Sequence, residues 1–272
     1  VIDGQHRLRA FEHVENKERL SIDIPCSVFF DLPNSYQAFL FATINGNQKR
    51  VDKSLALEQF GFSVEDEPSA SWTPEKLAVY LTRKLNFNEK SPLYNKIKLA
   101  PLYDSDIFKN DNTLVSTATI VDGILRLISS KPKRDRVELG QRHILRGRNR
   151  KMIEKFSDKS PLRNEYLVGN DEYIYSLVFD YLSTVKQIFW RNPKSDSYIS
   201  KTVGVQALFE VLRFLLVNSG EKIHSDRNFI PNALLPAETI DFSDNFFQAS
   251  GVGKTRIRNC ILVSLIKISD EY

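Results

Sequence analysis

The chain has 272 residues, 42% hydrophobic and 26% charged, which suits one large globular domain or two ordinary ones. No apolar run approaches the roughly 20 residues needed to cross a bilayer: 205–217 and 260–268 are short, and Glu210, Arg213 and Lys267 break them. A membrane partner is therefore not expected. The four histidines show no ligand spacing with cysteines or with one another, so no metal site is expected. Cys26 and Cys260 each sit in an apolar segment and read as buried small hydrophobes, in keeping with a reducing cytoplasm.

Val1 and Ile2 read as the end of a buried strand. Gly4 makes the turn, and a helix follows on Leu8, Ala10, Phe11 and Val14. A strand opening at residue 1 needs partners, which are expected upstream of Val1. Residues 22–30 read as a second strand, apolar on both faces. Helix 35–44 follows, with Ser35 as its cap, and Asn45-Gly46-Asn47 stops it. This β-α-β-α order predicts a small α/β unit over 1–60. Acidic, turn-rich 61–74 reads as a linker or exposed loop. A mainly helical domain is expected over 75–272, with helices at 74–85, 112–128, 137–156, 171–190, 201–217 and 255–268, each with apolar residues at three- and four-residue spacing.

The chemistry-bearing stretch is Asp3-Gly4-Gln5-His6-Arg7, five polar residues of five types at a strand-to-helix corner. Unpaired N–H groups and the helix dipole favour an anion at such a place. Arg7 offers a bidentate fork for phosphate or carboxylate, and His6 a proton that moves near neutral pH. The structural alternative has Asp3 capping the helix and Arg7 pairing with a neighbouring carboxylate. A second polar run, Asn45-Gly46-Asn47-Gln48-Lys49-Arg50, reads either as a solvated helix end or as a grip on phosphates or base edges.

The string Val-Ile-Asp-Gly-Gln-His-Arg-Leu-Arg-Ala-Phe, followed by Phe41-Ala42-Thr43-Ile44-Asn45-Gly46-Asn47-Gln48-Lys49, resembles the DGQHR-motif family. That family includes DndB-type proteins of DNA phosphorothioation operons. More distantly, the strand–motif–helix–strand pattern is similar to the ParB/sulfiredoxin-type nucleotide-binding fold. The likeness covers residues 1–60. It implies that Asp3, Gly4, Gln5, His6 and Arg7 line a nucleotide or phosphate site, with Asn45, Asn47 and Gln48 facing it. A nucleoside triphosphate is then the candidate cofactor.

Charge adds a second candidate. Between Lys131 and Lys155 ten Lys/Arg face three acids, a local excess of +7 against +4 for the whole chain. This reads as a solvated helical face or as a DNA phosphate contact through Lys133, Arg134, Arg142, Arg146, Arg148, Arg150 and Lys151. Gly251-Val252-Gly253-Lys254-Thr255 lacks the first glycine of a P-loop, since position 248 is Gln248, and reads as a helix start with Lys254, Arg256 and Arg258 around it. Three functions compete. The favoured one is a DndB-like, DNA-associated regulator in phage defence or transcription control, with a homo-oligomer as a candidate assembly. The alternative is an NTPase or DNA-nicking enzyme with His6 as proton-transfer group and Asp3 orienting it. In the third, the motif is a structural turn only.

Overall fold

The computed structural model describes residues 4–13, 23–46, 54, 57, 67–99, 114–140, 149–191 and 196–269. Along the chain run α1 (Gln5–Ala10), α2 (Asn34–Gly46), α3 (Pro74–Phe87), β1 (Ile97–Lys98), β2 (Val115–Ser116), α4 (Thr117–Ile128) and α5 (Pro132–Gly140). They are followed by α6 (Arg163–Val168), α7 (Asp171–Phe189), α8 (Thr202–Ser225), α9 (Phe229–Leu234) and α10 (Gly251–Ser269), with short 3₁₀ turns between. The mainly helical expectation is met. Among the described residues the sheet is a parallel pair with Ile97 opposite Val115 and Lys98 opposite Ser116.

Local signals place the helices. Thr73 caps α3, its Oγ1 accepting from the Lys76 N–H at 3.2 Å, and Pro74 occupies the first turn, where a missing N–H costs nothing. Gly169, at φ 79°, closes α6 in the left-handed conformation, and the Asn170 N–H returns to the Glu165 carbonyl at 2.9 Å. Ser250 caps α10 by accepting from the Gly253 N–H. A side chain at 253 would sit 1.8 Å from the Gln248 carbonyl, so only glycine fits there.

The core lies where α3, α4, α8 and α10 pack in sequence, with α7 alongside. Leu77, Leu81 and Leu85 meet the α4 residues Ile120, Ile124 and Leu127, and Leu208, Val211 and Leu212 of α8 complete the layer. Gly123 lets α4 and α8 approach closely, because a Cβ there would fall 2.4 Å from the Phe209 ring. By length and composition Thr202–Ser225 is apolar enough to cross a membrane, but half of its apolar stretch is buried inside the protein. Ser219 interrupts its helical geometry, next to Gly220.

Several sequence expectations are corrected. Residues 23–30 form no strand and are exposed, Phe30 at 89%. Pro25 removes a ladder donor, and no described strand lies beside the segment. The opening strand falls outside the described residues, so the small α/β unit is not seen. The 61–74 segment ends in structure: Trp72 is buried and Thr73 is the α3 cap. The expected helix 137–156 is interrupted: α5 begins earlier, at Pro132, and is described to Gly140, Asn149 is extended, and Arg150–Ile153 is a 3₁₀ turn. Leu57 belongs to the main core, and the Ser54 hydroxyl accepts from the Ala118 N–H. Cys26 is exposed and Cys260 half-buried; both thiols are free.

Candidate functional site

Gly4 adopts φ 86° and ψ 5°, a left-handed conformation that L side chains resist, and its carbonyl accepts from the Leu8 N–H at 3.0 Å. The motif's glycine is thus the hinge from which α1 starts. Gln5, Leu8, Arg9 and Glu12 follow at the spacing of one helical face and line an open hollow of about 310 Å³. Arg9 was not singled out by sequence. Its separation of four from Gln5 was the available signal, and it places a guanidinium beside the motif amide. Residues 6 and 7 lie in α1, but their side chains, like that of Asn45 at the end of α2, fall outside what is described. Asp3, Asn47 and Gln48 lie outside the described residues altogether.

Two of the described cations of the basic segment, Arg136 and Arg150, are turned inward, Arg134 is half-buried, and Lys131, Lys133, Lys151 and Lys155 are exposed. Arg150, expected at a DNA contact, is buried: its guanidinium forms a two-pronged ion pair with Asp171 at 2.5 and 3.0 Å. It also donates to the Trp72 and Tyr166 carbonyls and stacks on the Tyr166 ring. The correction is physical, since a guanidinium desolvated against a carboxylate and two carbonyls has no face left for a phosphate. Arg134 pairs with Asp135 at 3.0 Å and lies over Phe156. Lys155 is paired with Glu138 at 2.6 Å. Lys133 and Lys151 are exposed, while Arg142, Arg146 and Arg148 lie outside the described residues.

Around these arginines lies an interior polar cluster that the sequence did not announce. Asp135, fully buried, accepts from the Ser129 hydroxyl at 2.7 Å and from Arg163 at 2.5 Å. Asp158 accepts two hydrogen bonds from Ser130 and one from the Ser160 N–H. Burial would raise its pKa, but the Ser160 and Ser130 hydrogen bonds outweigh that and hold it below the usual carboxylate value. Tyr166 donates to the Trp72 carbonyl at 2.8 Å, and desolvation holds its phenol protonated far above pH 10. Glu75 pairs with Arg136 at 2.5 Å, yet burial outweighs that cation and raises its pKa to about 7. Its Oε2 has no hydrogen-bond partner among the described residues. A carboxyl that titrates near neutrality can serve acid–base chemistry, but Glu75 is only 4% exposed.

At the α10 start, Lys254 is drawn onto Glu210 at 2.6 Å. Arg258 joins the same carboxylate from α10 and Arg126 from α4. Arg256 donates to the Phe246 carbonyl and stacks on its ring. Their described contacts are with the protein's own groups. The described residues hold no group of three or more His, Cys, Asp or Glu side chains placed to bind a metal ion. No family model, curated protein or solved structure matches this chain.

Proposed function

We propose that the protein is a DNA-associated regulator that binds a nucleotide or phosphate at the DGQHR segment, in the manner the resemblance to DndB-type proteins implies. The carrying observation is local. Gly4 takes the one backbone conformation that only glycine adopts readily, and the helix it starts presents Gln5 and Arg9 on an open hollow. A structural turn alone does not require an amide and a guanidinium exposed on one face. Inorganic triphosphate fits such a place through charge-assisted hydrogen bonds. Asp3, His6, Arg7, Asn45, Asn47 and Gln48 are the further residues assigned to it, and Lys133, Arg134 and Lys151 are the described cations outside the core assigned to DNA. The two free thiols favour a reducing cytoplasm.

Titrating the protein with inorganic triphosphate, with and without duplex DNA, tests this reading. Binding that survives Glu12→Ala but is lost in Gln5→Ala/Arg9→Ala supports it. Triphosphate binding indifferent to that double substitution, together with DNA binding that shows no salt dependence, overturns it.

A further inference from the structure

Helices α4, α8 and α10 carry an imbalance of charge. Together α4, α8 up to its break at Ser219, and α10 hold six Lys or Arg against two acids, Asp122 and Glu210. Three of the cations meet on one carboxylate. Arg126 Nη1, at 3.2 Å, and Lys254 Nζ, at 2.6 Å, both donate to Glu210 Oε1, and Arg258 Nη1 lies 3.3 Å from Oε2. Arg213 stands a turn along α8 on the same side as Glu210, exposed and with no partner among the described residues. The acid lies beneath and the guanidiniums outside it: the Glu210 side chain keeps 15% of its surface in water, Arg258 36% and Arg126 60%.

We propose that Arg126, Arg213, Lys254 and Arg258 form a phosphate-binding site, in which Glu210 orders the cations without neutralising them. The site stands independently of the anion site assigned to the DGQHR segment.

Charge and donor supply carry the assignment. One carboxylate neutralises one cation, so further cations gathered on it repel one another at short range, and a second anion relieves that repulsion. Exposed ion pairs contribute little to stability, so the fold gains little by bringing a third cation to the same acid. Even with Asp122, a turn before Arg126, counted beside Glu210, four cations stand against two acids. That excess suits a phosphate dianion or two adjoining phosphodiesters better than a single carboxylate. Donors are in surplus as well. Glu210 takes a single donor from Arg126 and a single one from Lys254, and a guanidinium or an ammonium has more. Asn259 takes Nε and Nη2 of Arg258 at 3.1 and 2.9 Å, which fixes the plane of that guanidinium. A tetrahedral oxyanion accepts from several directions, and here three helices supply the donors. Because Glu210 already holds three long side chains in place, a ligand does not bear the entropy of ordering them. A free phosphate ion and the backbone of duplex DNA offer the same chemistry to these groups.

Calorimetric titration of the whole chain with inorganic phosphate, and gel shift with short duplex DNA over a salt series, compare the parent with Arg126→Gln/Arg213→Gln. That variant changes two exposed side chains and leaves Lys254 and Arg258 on Glu210. If free phosphate is the ligand, its binding should weaken by about tenfold or more, the scale of one charged hydrogen bond lost. If the ligand is the DNA backbone, the slope of log affinity against log salt should fall by about 2, roughly 0.9 for each phosphate contact. Either result supports the site, and it should persist when Gln5→Ala/Arg9→Ala is introduced into both proteins, which separates it from the DGQHR segment. Lys90→Gln/Lys186→Gln, which removes the same charge from exposed positions elsewhere, should change neither measurement. Absent or unchanged binding of both probes in Arg126→Gln/Arg213→Gln overturns the proposal. So does an equal effect of the Lys90/Lys186 pair, or an effect that vanishes in the Gln5→Ala/Arg9→Ala background.

Discussion

Replacing Arg150 by methionine separates a structural guanidinium from a DNA-binding one. The side chain is 1% exposed and makes two charged hydrogen bonds to Asp171 and two to main-chain carbonyls. Breaking a buried pair from one side costs about 3–5 kcal/mol, mostly because the other charge is stranded. Three features moderate that here. The Asp171 side chain keeps 17% of its surface in water. It stands in the first turn of α7, where the helix dipole favours an anion. Both carbonyls retain a second donor, the Tyr166 hydroxyl for Trp72 and the Gly169 N–H for Tyr166. The expected loss therefore lies at the low end, about 3 kcal/mol. Urea unfolding should show a lower midpoint with an unchanged slope. Adding Asp171→Asn should recover at least about 1 kcal/mol, the scale of coupling between groups in contact. Below the unfolding transition, DNA affinity should stay at the parent value. An Arg150→Met protein as stable as the parent but tenfold weaker on DNA would refute the interior assignment.

Lys133→Ala/Lys151→Ala should lower the slope of log affinity for duplex DNA against log salt by about 2, roughly 0.9 for each phosphate contact removed, in gel-shift titrations. An unchanged slope removes these lysines from the interface. Gly4→Ala forces an L side chain to φ 86°, at a cost of about 1–2 kcal/mol, and should weaken inorganic triphosphate binding by about tenfold. Gly169→Ala imposes the same conformation at φ 79° with open space around it, so it should lower stability while leaving triphosphate binding intact. Equal effects of the two on binding would disconnect Gly4 from the site. Glu75 binds its proton more tightly folded, at about 7, than unfolded, at 4.5. Its contribution to stability is therefore fully present below pH 4.5 and is lost as pH rises through 7. Urea titrations from pH 5 to 8 should show this decline, and Glu75→Gln should flatten it; a decline of the same size in that variant would assign it to another group.

The helices with a strong apolar stripe could be read from sequence, and 74–85, 171–190 and 255–268 needed only small changes at their ends. Residues 137–156 misled because the Pro132 start signal lies ahead of that window, and because Asn149, extended and capping a 3₁₀ turn, breaks the helix inside it. The 22–30 segment reads as a strand apolar on both faces, but such a run names no pairing partner. The burial of Arg136 and Arg150 was hidden for a related reason. Counting charges along 131–155 cannot see Glu75 or Asp171, which are brought in by the fold from 61 and 21 residues away. Of the candidate site, the glycine turn and the helix after it were legible. Arg9 was in plain view at the right spacing, but lay just past the motif. The interior cluster was not legible, because each of its members looks like an ordinary surface residue until its long-range partner is known.

Glu210 joins three stretches of chain that synthesis delivers far apart. Its carboxylate receives Arg126 from the earlier stretch and Lys254 and Arg258 from the later one. One carboxylate thus ties together side chains 84 positions before it and 44 and 48 positions after it, so α10 is held to the earlier helices by charge as well as by packing.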